Sequence, residues 1–321
     1  MTTNPIPDTM RAIGQDSVGG PEVLHEIELP VPQPGPSEIL VRVRATALNP
    51  TDWAHRARTG LFLPPPPYVL GWDVSGVVAA TGLGVTLFRP GDEVFGMLPY
   101  PHGHGAAAEY VVGPTRAFAR KPRNLDHVRA AAIPLAALTA RQALVDTADL
   151  QAGQRILIHA AAGGVGHFAV QIAKSLGAYV IGTASAANHE YLRGIGADEV
   201  IDYRAVDFAE VVHDVDVVLD AIDAANAVRS IATLRPGGLV ITLRARDDAD
   251  TLRTAAEQAG KRAETLLVEA DHAGMAALTE LAESGALRPT IAGVYPLSEA
   301  AKAHALGQTG RTVGKLVLTV D

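Results

Sequence analysis

The chain has 321 residues, of which 48% are hydrophobic, 19% are charged and none is cysteine. That length exceeds what one ordinary core needs and makes two domains the first expectation. The missing cysteines exclude disulfides, thiolate nucleophiles, iron–sulfur clusters and every cysteine-ligated zinc site. With 27 Lys plus Arg against 35 Asp plus Glu, a formal charge of −8 and no basic run, the chain lacks the electrostatic footprint of a nucleic-acid binder. The opening MTTNPIPDT has neither a basic start nor an apolar stretch, and the apolar run at 130–138 is broken by Pro134. Neither a secretory leader nor a membrane span is expected, so the reading is a soluble cytoplasmic protein.

From Met10 to Ala119 short apolar runs alternate with Gly and Pro. In EILVRVRATAL (38–48), Ile39, Val41, Val43 and Ala45 alternate with Leu40, Arg42, Arg44 and Thr46, which is period-two strand writing. WDVSGVVAAT (72–81), DEVFGML (92–98) and AEYVVG (108–113) continue the pattern. Such a set predicts a small barrel-like β domain. From about Val128 strands and helices alternate. RILIHA (155–160) is a short apolar strand, and after it Val165, Phe168, Ala169, Ile172, Ala173 and Leu176 share one helical face that Gly177 closes. AYVIGT (178–183), EVIDY (199–203), VDVVLDAI (215–222), GLVITL (238–243) and ETLLVE (264–269) supply five further strands. Six strands with intervening helices predict an α/β, doubly wound parallel sheet of the Rossmann type. A helix at 274–284, a short extended piece, a helix from Ser298 and a closing KLVLTV strand read as a return to the β domain.

The sharpest local signal is AAAGGVG (160–166), set between a strand and an amphipathic helix as a dinucleotide turn requires. Gly163 and Gly164 let the backbone approach a pyrophosphate, and Gly166 lets the helix pack closely on the strand. The N–H groups and positive dipole end of the helix then face the phosphates. The bland alternative, a tight turn needing glycine only for its dihedral angles, is weakened by the six strand–helix units around it. An NAD site places Asp or Glu about twenty residues after the glycines. Here the strand ends Gly182-Thr183-Ala184-Ser185-Ala186, with no acid before Glu190. An acid would repel a 2′-phosphate, so its absence favours NADPH. No Lys or Arg lies in that loop, and the nearest bases are His189 and Arg193. The phosphate is expected on the Ser185 and Tyr203 hydroxyls and a cation from elsewhere.

GQRILIHAAAGGVGHFAVQIAK (153–174) is similar to the signature of the zinc-independent quinone oxidoreductases, within the medium-chain dehydrogenase/reductase superfamily. ALNPTDW (47–53), VLGWDVSGVVAATG (69–82), GAAAEYVV (105–112), IPLAALTARQAL (133–144), GADEVIDY (196–203) and GRTVGKLVL (310–318) extend the resemblance over nearly the whole chain. It implies a GroES-like β-barrel catalytic domain over 1–123 and 270–321, a Rossmann NADPH domain over 124–269, an active site in the cleft between them, and a homodimer. The implied reaction is hydride transfer from NADPH to a small-molecule quinone or enone.

Carried over position by position, Asn49 stands where zinc-dependent relatives have a cysteine ligand, and Trp72 where they have a histidine ligand. Asn49 then resembles the residue that hydrogen-bonds near the nicotinamide. Trp53 takes a place where quinone reductases often have a tyrosine, and joins Asn49 as a candidate catalytic residue, with Phe62 and Trp72 as further substrate contacts. Thr139, Gly163, Gly164, Val165, Gly166, Thr183, Ser185, Tyr203, Leu243 and Arg311 complete the implied cofactor set with Asn49; no metal is expected. Asp52 has a plainer reading as a helix cap, Asp73 as a hydrogen-bond acceptor in a turn, and His102 and His104 as solvent-facing histidines without a third ligand. Tyr100 could line the site from the same loop. The product oxyanion needs a hydrogen-bond donor or a solvent proton rather than a strong base. Two alternatives stand beside this reading: reduction of another carbonyl such as an enoyl thioester, which Trp53 keeps open, and a non-catalytic NADPH-binding sensor.

Overall fold

A computed structural model describes residues 5–59, 62–63, 66–102, 104–244 and 248–320. The chain divides into two compact units, Met1–Leu138 with Glu269–Gly285 and Pro289–Asp321, and Thr139–Val268 with Ala286–Arg288. Among the described residues no helix is long and apolar enough to cross a membrane.

The first unit begins with β1 (Thr9–Gln15), β2 (His25–Pro30) and β3 (Glu38–Ala47), followed by helix α1 (Pro50–Ala57) and strands β4 (Tyr68–Val69) and β5 (Asp73–Thr81). Strands β6 (Glu93–Met97), β7 (Tyr110–Pro114) and β8 (Phe118–Arg120) follow. Strands β2, β1 and β4 form a small sheet, while β3 pairs antiparallel with both β5 and β7 in a larger one. The alternation read in β3 holds from Val41 to Ala45, but Leu40 and Thr46 are buried too. Two register shifts against β5 turn the strand, and Leu40 packs in the cluster of Met10, Ile13, Ala108 and Leu316.

The helices α2 (His127–Ala131) and α3 (Pro134–Arg141) come next. The expected boundary at 123/124 falls instead after Leu138. The physical reason is packing: Ala131, Ala132 and Val128 close the small cluster of Ala45, Ala47 and Val317, so α2 belongs to the β unit's core.

The second unit runs β9 (Arg155–Ile158), α4 (Gly166–Ser175), β10 (Tyr179–Ala184), α5 (His189–Gly194), β11 (Glu199–Asp202), α6 (Phe208–Val211) and β12 (Val215–Asp220). It continues with α7 (Ala224–Ser230), β13 (Leu234–Thr242), α8 (Ala249–Gln258) and β14 (Arg262–Thr265). All six strands are parallel, in the order β11-β10-β9-β12-β13-β14. The doubly wound sheet is thus present, with the order reversing beside β9. Its last strand lies earlier than the ETLLVE reading: β14 ends at Thr265, and Leu267 is exposed. Helix α4 is buried all round rather than on one face. Gln171 explains this, since its amide bonds the backbone N–H and C=O of Arg288, which folds back onto the helix.

The chain returns to the first unit through α9 (His272–Glu283), β15 (Ile291–Pro296), α10 (Ala300–Gly307) and β16 (Lys315–Thr319). Strand β16 is antiparallel to β3 with Val317 opposite Ala47. Two residues further along that register, Lys315 faces Asn49.

Candidate active site and nucleotide edge

Asn49 is the N-cap of α1, with extended backbone, and Pro50 follows at the first helical position, where its missing N–H costs nothing. Asp52 lies at the third helical position and its Oδ2 accepts the Asn49 N–H at 2.7 Å. The capping role expected of Asp52 is therefore exercised from inside the helix, reaching back to Asn49. Asp52 is fully buried, which pushes its pKa up from 3.8 to about 7. Its Oδ1 has no hydrogen-bond partner among the described residues.

The Lys315 ammonium is buried against the same cap. It donates to the Leu48 carbonyl at 2.9 Å and the Asn49 Oδ1 at 2.5 Å, and lies 3.5 Å from Asp73 Oδ2. Three hydrogens meet three acceptors, which is what a charged ammonium requires. The Asn49 Nδ2 donates to Asp73 Oδ2 at 2.7 Å, and the Leu135 N–H donates to Asp73 Oδ1 at 2.6 Å. Every oxygen of Asp73 accepts and none has to donate, so the pair reads as Lys315⁺ and Asp73⁻. Burial pushes the Asp73 carboxyl up and the Lys315 ammonium down, and each partner counters the other. Asn49 is thereby gripped at both ends of its amide.

This donor set does not fit zinc. Asn49 and Trp72 offer no thiolate or imidazole, a protein ammonium already occupies the centre of the cluster, and among the described residues no group of three His, Asp or Glu side chains is placed to hold a metal. His102 and His104 do not pair as ligands either. The His104 Nδ1 bonds the Val69 carbonyl at 2.7 Å, while the His102 ring lies edge-on to Phe62 at 6.3 Å.

The two faces of α1 do different work. Thr51 and His55, one turn apart, look toward Tyr100, Phe62 and Trp72. The His55 ring lies 5.2 Å from Trp72 and 6.1 Å from Phe62, and the Tyr100 ring lies 5.4 Å from Trp72 and 6.1 Å from Phe62. Phe62 and Trp72 thus belong to one aromatic cluster, in which Trp72 is fully buried and Phe62 is partly exposed. Trp53 does not join it. Two residues from Thr51 on the helix, it points the other way, 6.4 Å from the His304 ring and against Gly307 on α10. There it packs on the cluster of Met10, Ala303 and Leu316, apart from the aromatic rings that surround Trp72. Thr51 and His55 were missed because their partner, Tyr100, is more than forty residues away in the chain.

In the second unit, Gly163 to Gly166, Thr183, Ser185, Tyr203 and Leu243 all fall at the carboxyl ends of parallel strands, the edge where open α/β sheets bind ligands. A Cβ on Gly166 would stand 2.3 Å from the Ala160 carbonyl oxygen and 2.7 Å from the Ala161 Cα, so close packing of α4 on the turn demands glycine there. Val165 precedes the helix as its N-cap, and the His167, Phe168 and Ala169 N–H groups close onto the Gly163 and Val165 carbonyls, so it is the glycine backbone of 163–166 that is open to close approach. A dinucleotide fits this cradle. The Thr183 hydroxyl is buried and bonded to His159 Nδ1 at 3.1 Å, and His159 Nε2 bonds the Ser230 hydroxyl at 2.9 Å. Burial lowers the His159 pKa to about 4, so this network is neutral. Leu243 donates its N–H to the Asp220 carbonyl at 2.9 Å. Thr139 is buried in α3, and Arg311 is exposed in the other unit, after α10.

Pairing of Ala184 with Asp202 brings the ends of β10 and β11 together, and so sets Ser185 beside Tyr203. The ring of Tyr203 is exposed and carries the Arg204 guanidinium 5.6 Å above it, with Arg204 Nε donating to the Tyr203 hydroxyl at 3.3 Å. Arg204 is a cation at this edge that the loop-by-loop reading of 183–193 missed. The neighbouring parallel strand supplies it.

A medium-chain dehydrogenase/reductase is the class this combination of β unit and doubly wound nucleotide unit defines. Residues 35–123 match the alcohol dehydrogenase GroES-like domain and residues 195–318 the zinc-binding dehydrogenase domain. The chain is 33% identical to a chloroplast envelope quinone oxidoreductase homolog of Arabidopsis thaliana, over 96% of this chain and 98% of that one. It is 34% identical to an NADPH-dependent alkenal/one oxidoreductase of the same plant, over 98% of this chain and 80% of the other. The solved quinone oxidoreductase of Coxiella burnetii superposes with a TM-score of 0.91 at 36% identity, covering 98% of this chain and 100% of that one. The chain belongs to the quinone oxidoreductase family of the medium-chain dehydrogenase/reductase superfamily. It is an oxidoreductase with a pyridine-nucleotide domain.

Proposed function

We propose that the protein is a zinc-independent, NADPH-dependent reductase of quinones or α,β-unsaturated carbonyls. The observation that carries this reading is the Lys315 ammonium bound to Asn49 beside Asp73, in a cluster whose donors do not suit zinc. Without a Lewis acid to polarise an isolated carbonyl, the acceptor must spread its own developing charge, as conjugated carbonyls do. Phe62 and Tyr100, the partly exposed rings packed around and beside the buried Trp72, offer such a flat acceptor an apolar wall. Bound at 160–166, the reduced nicotinamide supplies hydride; the chain's residues supply orientation, exclusion of water and hydrogen bonds. For the choice of NADPH, Ser185, Tyr203 and Arg204 provide hydroxyls and a cation where an acid would select NAD. The named activities of the Arabidopsis relatives support the same acceptor class and cofactor. The reading includes a soluble homodimer acting on small molecules.

Stopped-flow oxidation of NADPH and NADH against 1,4-benzoquinone, 9,10-phenanthrenequinone and small enones tests it. Turnover of at least one of these acceptors with a preference for NADPH is expected. Tight NADPH binding without turnover of any acceptor contradicts the reductase reading, and a preference for NADH above about tenfold, some 1.4 kcal/mol, contradicts the cofactor assignment.

A further inference from the structure

Reduction of a conjugated carbonyl leaves an oxyanion on the acceptor, and some donor must meet it. Most donors around α1 are already engaged. All three Lys315 hydrogens have acceptors, and the Asn49 amide is held by Asp73 and Lys315. The His55 Nδ1 lies 2.8 Å from the Thr51 carbonyl, which can only accept, so the Nδ1 carries the proton and donates. It also lies 3.0 Å from the Thr51 Oγ1. The Trp72 indole N–H is unpartnered but fully buried.

That leaves Tyr100. The Thr51 Oγ1 lies 3.2 Å from the Tyr100 hydroxyl oxygen. Because a protonated Nδ1 cannot accept the Thr51 hydroxyl hydrogen, that hydrogen points at Tyr100, and His55 sets the direction in which Thr51 donates. The Tyr100 oxygen accepts, and its own hydrogen has no acceptor among the described residues. The ring is half-buried and wedged against Trp72 and Phe62, which aims the hydroxyl from a fixed edge of the aromatic wall.

We propose that the Tyr100 hydroxyl binds the carbonyl oxygen of the acceptor and protonates it as the reduced product forms, with Thr51 and His55 as positioning residues. The proposal rests on the reductase reading. A bound reduced nicotinamide would supply hydride to the enone β-carbon or the quinone, which would place the electron pair on the carbonyl oxygen. The Tyr100 O–H bond breaks, an O–H bond forms on the product, and the phenolate left behind accepts the Thr51 hydroxyl hydrogen bond until water reprotonates it. Burial lowers the His55 pKa, which keeps it a neutral Nδ1–H donor through this step.

Tyr100→Phe keeps the ring in place and removes only the hydroxyl. With 2-cyclohexen-1-one as acceptor it is expected to lower kcat by about 10²-fold, the range of a general acid, with KM little changed. Thr51→Val is expected to lose about tenfold, as for one hydrogen bond to a charged group. A second readout needs no cofactor or turnover: 4-nitrophenolate, followed by its visible absorbance, is expected to bind the wild type about tenfold more tightly than Tyr100→Phe, while neutral nitrobenzene binds both alike. If the wild type turns over acceptors and Tyr100→Phe matches it, the proposal falls. A lower kcat with unchanged nitrophenolate affinity overturns it as well, because a structural role alone would produce that. If the wild type turns over nothing, the reductase reading fails, and the nitrophenolate comparison alone decides whether Tyr100 is an oxyanion donor.

Discussion

Lys315 shows how one side chain changes the chemistry open to a fold. A buried ammonium costs several kcal/mol to desolvate and persists only with its full set of acceptors, here Leu48, Asn49 and Asp73. Lys315→Met leaves the Asp73 carboxylate buried and unpaired, and is expected to lower stability by about 3–5 kcal/mol in urea denaturation. Adding Asp73→Asn removes the orphaned charge and is expected to recover most of that loss; a double variant as unstable as the sum of the singles contradicts the pairing. Asp52 makes a separate, pH-dependent contribution. Its folded pKa of about 7 exceeds the ordinary 3.8, so the folded chain keeps a proton that the unfolded chain releases. That stabilisation is complete below about pH 4 and is lost as pH rises to 7. Asp52→Asn is expected to flatten the fall in unfolding free energy across this window, and an unchanged slope would assign the titration elsewhere.

Among the elements, α1 and α4 set the two sites, and each is fixed by one close contact. In α4, a methyl at Gly166 would meet the backbone of Ala160 and Ala161, which cannot yield as a flexible side chain could. Alanine ordinarily stabilises a helix over glycine by about 1 kcal/mol, yet Gly166→Ala is expected to cost about 1–3 kcal/mol by overpacking and to weaken NADPH binding. Gly194 in α5 has nothing within 4 Å of an added Cβ, so Gly194→Ala serves as the control and is expected to melt no lower than the wild type. In α1, Trp53→Ala is expected to destabilise by on the order of 2 kcal/mol through lost packing on α10, with kcat for quinones unchanged. A large loss of kcat at unchanged stability would return Trp53 to the reacting centre. The glycine turn, the parallel strands and the small β unit were legible because each is written in a contiguous stretch with its own period. The Trp53 face was not, since an eight-residue helix offers two faces and only the partner across the fold decides between them. Lys315 lies 266 residues from Asn49 and meets it through the pairing of β16 with β3, which no local pattern records.

For the molecule as a whole, the absence of cysteine and the cluster around Lys315 point to one property. The chain has no cysteine, and in the proposed zinc-independent reading Asn49 and Trp72 take the places of metal ligands, with the Lys315 ammonium bound to Asn49. The acidic balance of the chain does not oppose a phosphorylated cofactor, because Arg204 and Tyr203 set a local positive edge at the end of β11. The most direct test of the central claim is NADPH oxidation by protein exhaustively treated with a metal chelator, with metal content measured on the same sample and 1,4-benzoquinone as acceptor. Full turnover at negligible zinc content is the predicted result. Activity that disappears on chelation and returns with added zinc would contradict it.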